Sequence, residues 1–308
     1  VGATVLGTPA AAWARPTRPV ADDVDVYVIV TDGMLPSELN AAQAPTLSRW
    51  ADHGTRYTSA QAHMIADRLR AAHGLGPDAI EIVVIRTTGD RIQDRTLMEA
   101  GGKGLFTKEI EEALVAGSID LAVHSMKDVP TWLPDGLEIR CLLPREDPRD
   151  AFFSNVAAHL DDLPEGAVVG TASLRRQAQV LARRPDLKVV PIRGNVETRL
   201  RKLADGEVDA TLLALAGLKR LDMTDRITSV IEPDVMLPAV AQGAIGIETR
   251  VGDDRTNALL APLNCEATMV RVSAERALLA ALDGSCRTPI AALANLDEAG
   301  TLTLDALV

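Results

Sequence analysis

Three stretches of this 308-residue chain combine side chains that can do chemistry. The first is His124-Ser125-Met126-Lys127-Asp128-Val129-Pro130. The apolar run from Asp120 to His124 reads as a buried strand, so Lys127 and Asp128 fall at its carboxyl end, where parallel α/β folds hold ligands. A carboxylate beside a lysine is normally ionised. It can steady a developing cation or move a proton. The plainer reading is a surface turn ahead of Pro130. The second stretch is Thr171-Ala172-Ser173-Leu174-Arg175-Arg176-Gln177, with Arg193-Gly194-Asn195 and Arg199 repeating its design. Each is a strand end running into a helix. Free backbone N–H groups and the hydroxyls of Thr171 and Ser173 suit an anion there. The planar forks of Arg175, Arg176, Arg193 and Arg199 suit carboxylates or phosphates. The third is Asp283-Gly284-Ser285-Cys286-Arg287-Thr288-Pro289, a loop past a helix, in which Arg287 favours the Cys286 thiolate. Covalent attachment and nucleophilic work are both open to such a cysteine, as is a purely structural role.

Other candidates are weaker. Gly101-Gly102-Lys103-Gly104 lacks the spacing of a phosphate-binding P-loop and reads as a loop presenting Lys103. Cys141 alternates with Leu137, Ile139 and Leu143 on one strand face and reads as structural, as does Cys265 near a helix start. The five histidines are scattered, and no Cys/His spacing suits zinc, so no metal is expected.

The elements that must position these residues alternate between strand and helix. Short apolar runs at Val24 to Val30, Ile80 to Ile85, Val168 to Val169, Val189 to Ile192, Asp209 to Leu215 and Ala244 to Ile247 read as strands. Phe106, Ile110 and Leu114 recur every four residues, the stripe of an amphipathic helix. Leu263 to Leu282 is helical and stops at Asp283-Gly284. Strand–helix alternation implies parallel α/β sheets, and Pro144 to Pro148 suits a crossing between two lobes. The length predicts about two domains, or three. Only eight aromatics are present, so aliphatic side chains and alanine must fill the cores.

The formal charge of −11 argues against a nucleic-acid binder. Yet nine basic and two acidic residues lie between Thr171 and Lys202. A basic island in an acidic protein suits a small, multiply anionic ligand. No run of about eighteen uncharged apolar residues occurs, so no membrane span is expected. Three cysteines make no disulfide framework and suit a reducing compartment. Val1 to Arg18 is rich in Ala, Pro and Thr and reads as a processed or fragment end.

Together these segments resemble the porphobilinogen deaminase (hydroxymethylbilane synthase) family. The pieces are Gly101 to Phe106, His124 to Pro130, Arg145 to Phe152, Gly170 to Gln177, Arg193 to Val196, Leu215 to Leu221, Gln242 to Glu248 and Gly284 to Cys286. They occur in family order from about Gln61 to Val308. The resemblance implies two periplasmic-binding-protein-like lobes with parallel-type sheets and a small α/β C-terminal domain. It implies stepwise head-to-tail joining of four porphobilinogen units with release of ammonia, in tetrapyrrole biosynthesis. It implies a dipyrromethane cofactor on a thioether to Cys286. Asp128 matches the catalytic aspartate, which stabilises positive pyrrole and azafulvene intermediates and handles their protons. Lys103, Ser125, Lys127, Thr171, Ser173, Arg175, Arg176, Arg193, Gly194, Arg199 and Gln242 match substrate- and cofactor-binding positions, and Arg56 is a displaced match. Four units bring eight carboxylates, which an arginine-lined cleft answers. A cytoplasmic monomer acting on a small molecule, without nucleic-acid or membrane partners, is implied.

The domains expected are 61–145 with 240–262 for lobe one, 146–239 for lobe two, and 263–308 for a C-terminal domain cut short relative to the family. Residues 1–60 depart from the family. Val26 to Asp32 and Ala44 to Thr58 resemble instead the opening of an alkaline-phosphatase or sulfatase-like protein, in which Asp32 would bind metal. The Val26 to Val30 run nevertheless has the pattern of a buried parallel strand and can replace the family's first one. A rival from another class is a two-lobed receptor for small anions, which needs neither Asp128 nor Cys286.

Overall fold

The computed structural model describes residues 26–30, 56–85, 107–284 and 288–308, with side chains left out at 26–30, 56–59 and 84. The expected α/β architecture is present. Strands β1 (Val26–Val30), β2 (Ile80–Val84), β3 (Leu121–Ser125) and β4 (Leu137–Leu142) alternate with helices α1 (Arg56–His73) and α2 (Lys108–Val115). The chain then builds a second sheet from β5 (Asp150–Ser154), β6 (Val168–Gly170), β7 (Lys188–Val190), β8 (Ala210–Ala214) and β9 (Ser229–Ile231). Helices α3 (Leu174–Arg183), α4 (Val196–Ala204) and α5 (Leu215–Arg220) interleave there. It returns through β10 (Ile245–Arg250) to α6 (Asp254–Leu260) and α7 (Glu266–Ala281), and ends in the hairpin β11 (Ala291–Leu296) and β12 (Leu302–Leu307).

The first sheet has the order β2-β1-β3-β10-β4 and the second β7-β6-β8-β5-β9. Each holds the expected parallel pairs, β1 with β2 and β3 in the first and β6 with β7 and β8 in the second, and adds antiparallel ones. β10 runs antiparallel to β3 and β4, and β5 antiparallel to β8 and β9. Both odd strands are the ones by which the chain arrives from the other sheet. They start at the crossing and run away from it, against strands that are wound locally and end there. The strand β1 lies inside the first sheet, parallel to both β2 and β3. A part of the 1–60 segment therefore belongs to lobe one's sheet.

Burial follows the two-residue period of the strands. In β5, Phe152 packs with Val169, Val180 and Leu212, while Ala151 and Phe153 face Leu200, Leu203 and Leu213 on the other side. In the first sheet, Leu121, Val123, Ile245 and Ile247 meet Ala62, Ile65 and Leu69 of α1. Fully burying a side chain such as Ile65 or Leu69 contributes about 1.5–3 kcal/mol. Strand β4 breaks the period. Cys141 and Leu143 join the α1 side, whereas Leu137 packs with α2 and Ile139 borders a third cluster with Val272 of α7. A bulge between Cys141 and Ile139 leaves Arg140 unpaired against β10 and reverses the faces. Cys141 is thus buried as expected, but not on the face of Leu137 and Ile139. Burial alone pushes its thiol up to about 12.

Candidate functional site

The register places the carboxyl ends of both sets of parallel strands at the crossing between the sheets. Ser125, the last residue of β3, faces Ile245, which follows the return crossing. Ala214, the last of β8, faces Asp150, which follows the outward one. The two crossings touch, with the Glu146 N–H donating to the Gly243 carbonyl at 3.2 Å. Gly243 has φ +88°, and a Cβ there would lie 2.3 Å from the Glu146 carbonyl oxygen. Only glycine fits this contact.

At the end of β3 the chain makes a single 3-10 turn, Met126–Asp128. It cannot continue, because Pro130 forces Val129 into an extended conformation (φ −80°, ψ 126°). Met126 is buried and anchors the turn by an N–H bond to the Ala244 carbonyl. Lys127 and Asp128 are left open to water beyond the strand. The chain packed around the turn partly desolvates the Asp128 carboxyl and raises it above its ordinary range, against the opposing fields of Lys127 and His124. Behind the turn, His124 Nε2 lies 2.9 Å from Glu248 Oε2, both side chains buried. Ser125 Oγ accepts from Gln61 Nε2 at 3.0 Å. The sequence did not single out Gln61, which nothing local ties to Ser125, 64 residues further on.

In lobe two, Ser173 caps α3, its Oγ accepting from the Arg176 N–H, and Thr171 Oγ1 accepts from the Ser173 N–H. Asn195 caps α4 through Thr198. Gly194, at φ +115°, turns into that cap where a Cβ would meet Thr198 at 2.5 Å. Arg199 Nε donates to the Gly194 carbonyl, and Arg193 is half-buried on the same loop.

Arg175 and Arg176 are buried rather than displayed. Each sends one Nη to the fully buried Asp150, at 2.7 Å to Oδ2 and 2.7 Å to Oδ1. Their other Nη atoms donate to the carbonyls of Leu237 and Leu212. Burial alone would raise Asp150, but the two guanidiniums and the Gln242 amide hold it well below the usual carboxylate range. Gln242 Nε2 also donates to the Pro148 carbonyl. One carboxylate against two guanidiniums leaves a unit of positive charge, and both Nε–H groups are buried without a partner. Such a cluster is suited to an added carboxylate. Asp150 is a residue that the sequence reading missed, since nothing local ties it to Arg175 and Arg176.

Helix α7 braces these parts. Glu275 is fully buried and bonds Arg145 of the outward crossing, the Ala241 N–H of the return crossing and the Ala294 N–H of β11. Lys103, Cys286, Arg287 and Asp32 lie outside the described residues, as does the side chain of Arg56, which opens α1. Among the described residues no three His, Cys, Asp or Glu side chains form a metal-holding group, and no helix is long and apolar enough to cross a membrane.

The family described as porphobilinogen deaminase, dipyromethane cofactor binding domain, matches residues 54–258, and the porphobilinogen deaminase C-terminal domain matches residues 269–308. A porphobilinogen deaminase of Paracoccus denitrificans is 61% identical over 248 residues, covering 80% of this chain and 79% of that protein. A chloroplastic porphobilinogen deaminase of Oryza sativa is 52% identical over 310 residues, covering 99% of this chain and 83% of that protein. Among solved structures, the BvgS VFT2 domain of Bordetella pertussis aligns with TM-score 0.43 at 17% identity, covering 83% of this chain and 92% of that one. A periplasmic substrate-binding protein from Coxiella burnetii aligns with TM-score 0.42 at 14% identity, covering 80% and 94%.

Proposed function

The chain belongs to the porphobilinogen deaminase family, and from that premise we propose that Asp128 carries the charge and proton work of its condensation reaction while the buried arginines of lobe two hold the acidic product chain. The enzyme is a transferase that joins porphobilinogen units head to tail and releases ammonia, and its cofactor is dipyrromethane. The lobe-two residues fit that cofactor, because the surplus charge on Arg175 and Arg176 and their unpaired Nε–H groups answer acidic side arms. When bound, dipyrromethane supplies the free ring carbon to which new units are added.

The work of Asp128 follows from its place. Loss of ammonia breaks the C–N bond of the incoming aminomethyl group and leaves positive charge on that pyrrole. A carboxylate at the end of β3 stabilises that charge. The new C–C bond then requires a ring proton to leave, and the same carboxylate accepts it. A carboxylate raised above its ordinary range is a stronger proton acceptor, which suits this second task. Lys127, Ser125 (steadied by Gln61), Lys103, Arg56, Gln242, Thr171, Ser173, Arg193 and Arg199 line the acidic arms of substrate and product. Gly194 admits the α4 cap its loop needs. Cys286 holds the cofactor through its sulfur. The protein works as a cytoplasmic monomer on a small molecule, and its net charge of −11 supports a reading without nucleic acid.

The observation that carries the reading is Asp128 beyond β3, on a buried anchor and among opposing charges. Asp128→Asn keeps the shape and removes the charge. Ammonia release should be abolished while porphobilinogen still binds. Unchanged turnover in that variant would sink the assignment, and an unmodified Cys286 in folded, active protein would remove the attachment role.

A further inference from the structure

The backbone directly after Asp128 is held by one side chain from outside lobe one's sheet. Arg276 of α7 donates from Nη1 to the Val129 carbonyl at 3.0 Å and from Nη2 to the Pro130 carbonyl at 2.6 Å. Neither carbonyl lies in a strand or helix, and among the described residues this fork is the bond that holds both. Arg276 is set by its helix. Met269, Val272 and Arg276 recur at three- and four-residue spacing on one face. Met269 and Val272 pack in the same cluster as Met126 and Val129 of the turn. Arg276 continues that face as the polar contact. It is largely buried and is attracted by Glu248, the carboxylate behind the turn. Its neighbour Glu275 points about 100° away around the helix and grips both crossings.

We propose that Arg276 is a positioning residue for the condensation, fixing the Asp128 turn to the helix that leads toward Cys286. The proposal rests on the reading of Asp128 as the reacting carboxylate. A bidentate guanidinium on two successive carbonyls sets both position and tilt of the peptide plane, whereas a lysine can hold one point only. A carboxylate released by about an ångström loses its alignment with the reacting carbon, and such misplacement costs up to about a hundredfold in rate. Porphobilinogen is bound mainly by other groups, so its affinity is not what Arg276 controls.

The test uses the full, cofactor-loaded chain. Arg276→Met and Arg276→Lys are assayed for ammonia release across porphobilinogen concentration, with rates expressed per cofactor-loaded molecule counted by intact mass. Arg276→Met should lower kcat about 10- to 100-fold with KM held within about threefold, and Arg276→Lys should recover part of the loss. A general folding defect would reduce the loaded fraction and leave kcat per loaded molecule unchanged. A kcat within about twofold of wild type in loaded Arg276→Met overturns the proposal. If Arg276→Met does not fold, Arg276→Lys decides by the same criteria. Asp128→Asn is run alongside. Turnover in Asp128→Asn sinks the underlying reading and the proposal with it. A dead Asp128→Asn with a normal Arg276→Met sinks the positioning role alone.

Discussion

Glu275→Gln changes one atom type and should cost the protein a large share of its stability. Each carboxylate oxygen accepts two hydrogen bonds. Oε1 takes Arg145 Nη1 at 2.5 Å and the Ala294 N–H at 2.9 Å. Oε2 takes Arg145 Nη2 at 3.1 Å and the Ala241 N–H at 2.6 Å. An amide oxygen can keep one of these pairs. The amide nitrogen then turns two N–H groups toward two donors, so two bonds are lost and replaced by repulsion. The substitution also strands the charge of Arg145, whose side chain is only 4% exposed. Breaking a buried ion pair by removing one partner costs about 3–5 kcal/mol, and an orphaned buried N–H about 1–3 kcal/mol. These overlap, so the expected loss is about 3–5 kcal/mol, against a total of about 5–15 kcal/mol for a typical domain. Urea unfolding followed by far-ultraviolet circular dichroism measures it in the first transition. The exposed Lys108–Glu112 pair is the control, where Glu112→Gln should change stability by less than about 0.5 kcal/mol. A Glu275→Gln loss under about 1 kcal/mol would refute the reasoning, because the brace would then be dispensable. An Arg145→Met/Glu275→Gln double variant should lose less than the sum of its singles.

Two further outcomes follow from the crossing. Asp150 is held below its ordinary range when folded, so its contribution is present above the unfolded value near 3.9 and is lost as pH falls below it; unfolding stability should decline on acidification below about pH 4, and Asp150→Asn should flatten that decline while lowering stability at neutral pH. Gly243→Ala forces a side chain into φ +88° against the Glu146 carbonyl oxygen, and should cost at least about 1–3 kcal/mol by the same urea assay, with Gly252→Ala, which meets nothing within 4 Å, as the milder comparison.

What the sequence made legible was local. The stripe of Ile110 and Leu114 became the buried face of α2, and the two strand ends read as running into helices do so, at caps made by Ser173 and Asn195. The end of β3 placed Lys127 and Asp128 outside the sheet. Distant relationships were not legible. Asp150 lies 25 residues before Arg175, with β5 and β6 between them, and nothing near it announces that it bonds both guanidiniums. The island of basic residues looked like an open anion surface, but two of its arginines are interior. The bulge at Arg140 reverses a period that had looked unbroken from Leu137 to Leu143. Antiparallel β5 and β10 depend on where the chain crosses, which hydropathy does not encode. Glu275 and Arg276 read as an ordinary polar pair on a helix. Their weight comes from the three chain segments brought against α7.

The place of β10 inside the first sheet also dictates an order of assembly during synthesis. Lobe two is drawn from one unbroken stretch, β5 through β9, and can close as soon as it leaves the ribosome. Lobe one cannot. Ser125 must wait for Ile245, 120 residues later in the chain, before its flank is covered. At about 5–20 residues per second, the nascent sheet stands with an uncovered edge for roughly 6–24 seconds. During that interval β4 has no partner strand and β3 is paired only on its β1 side, so their facing edges are open to pairing with another chain. The slow, non-local closure falls on the half that holds Asp128. Asp128 therefore reaches its folded setting only after the sheet beside Arg175 and Arg176 is already complete, and a nascent chain halted between the two would carry one closed sheet and one with an open edge.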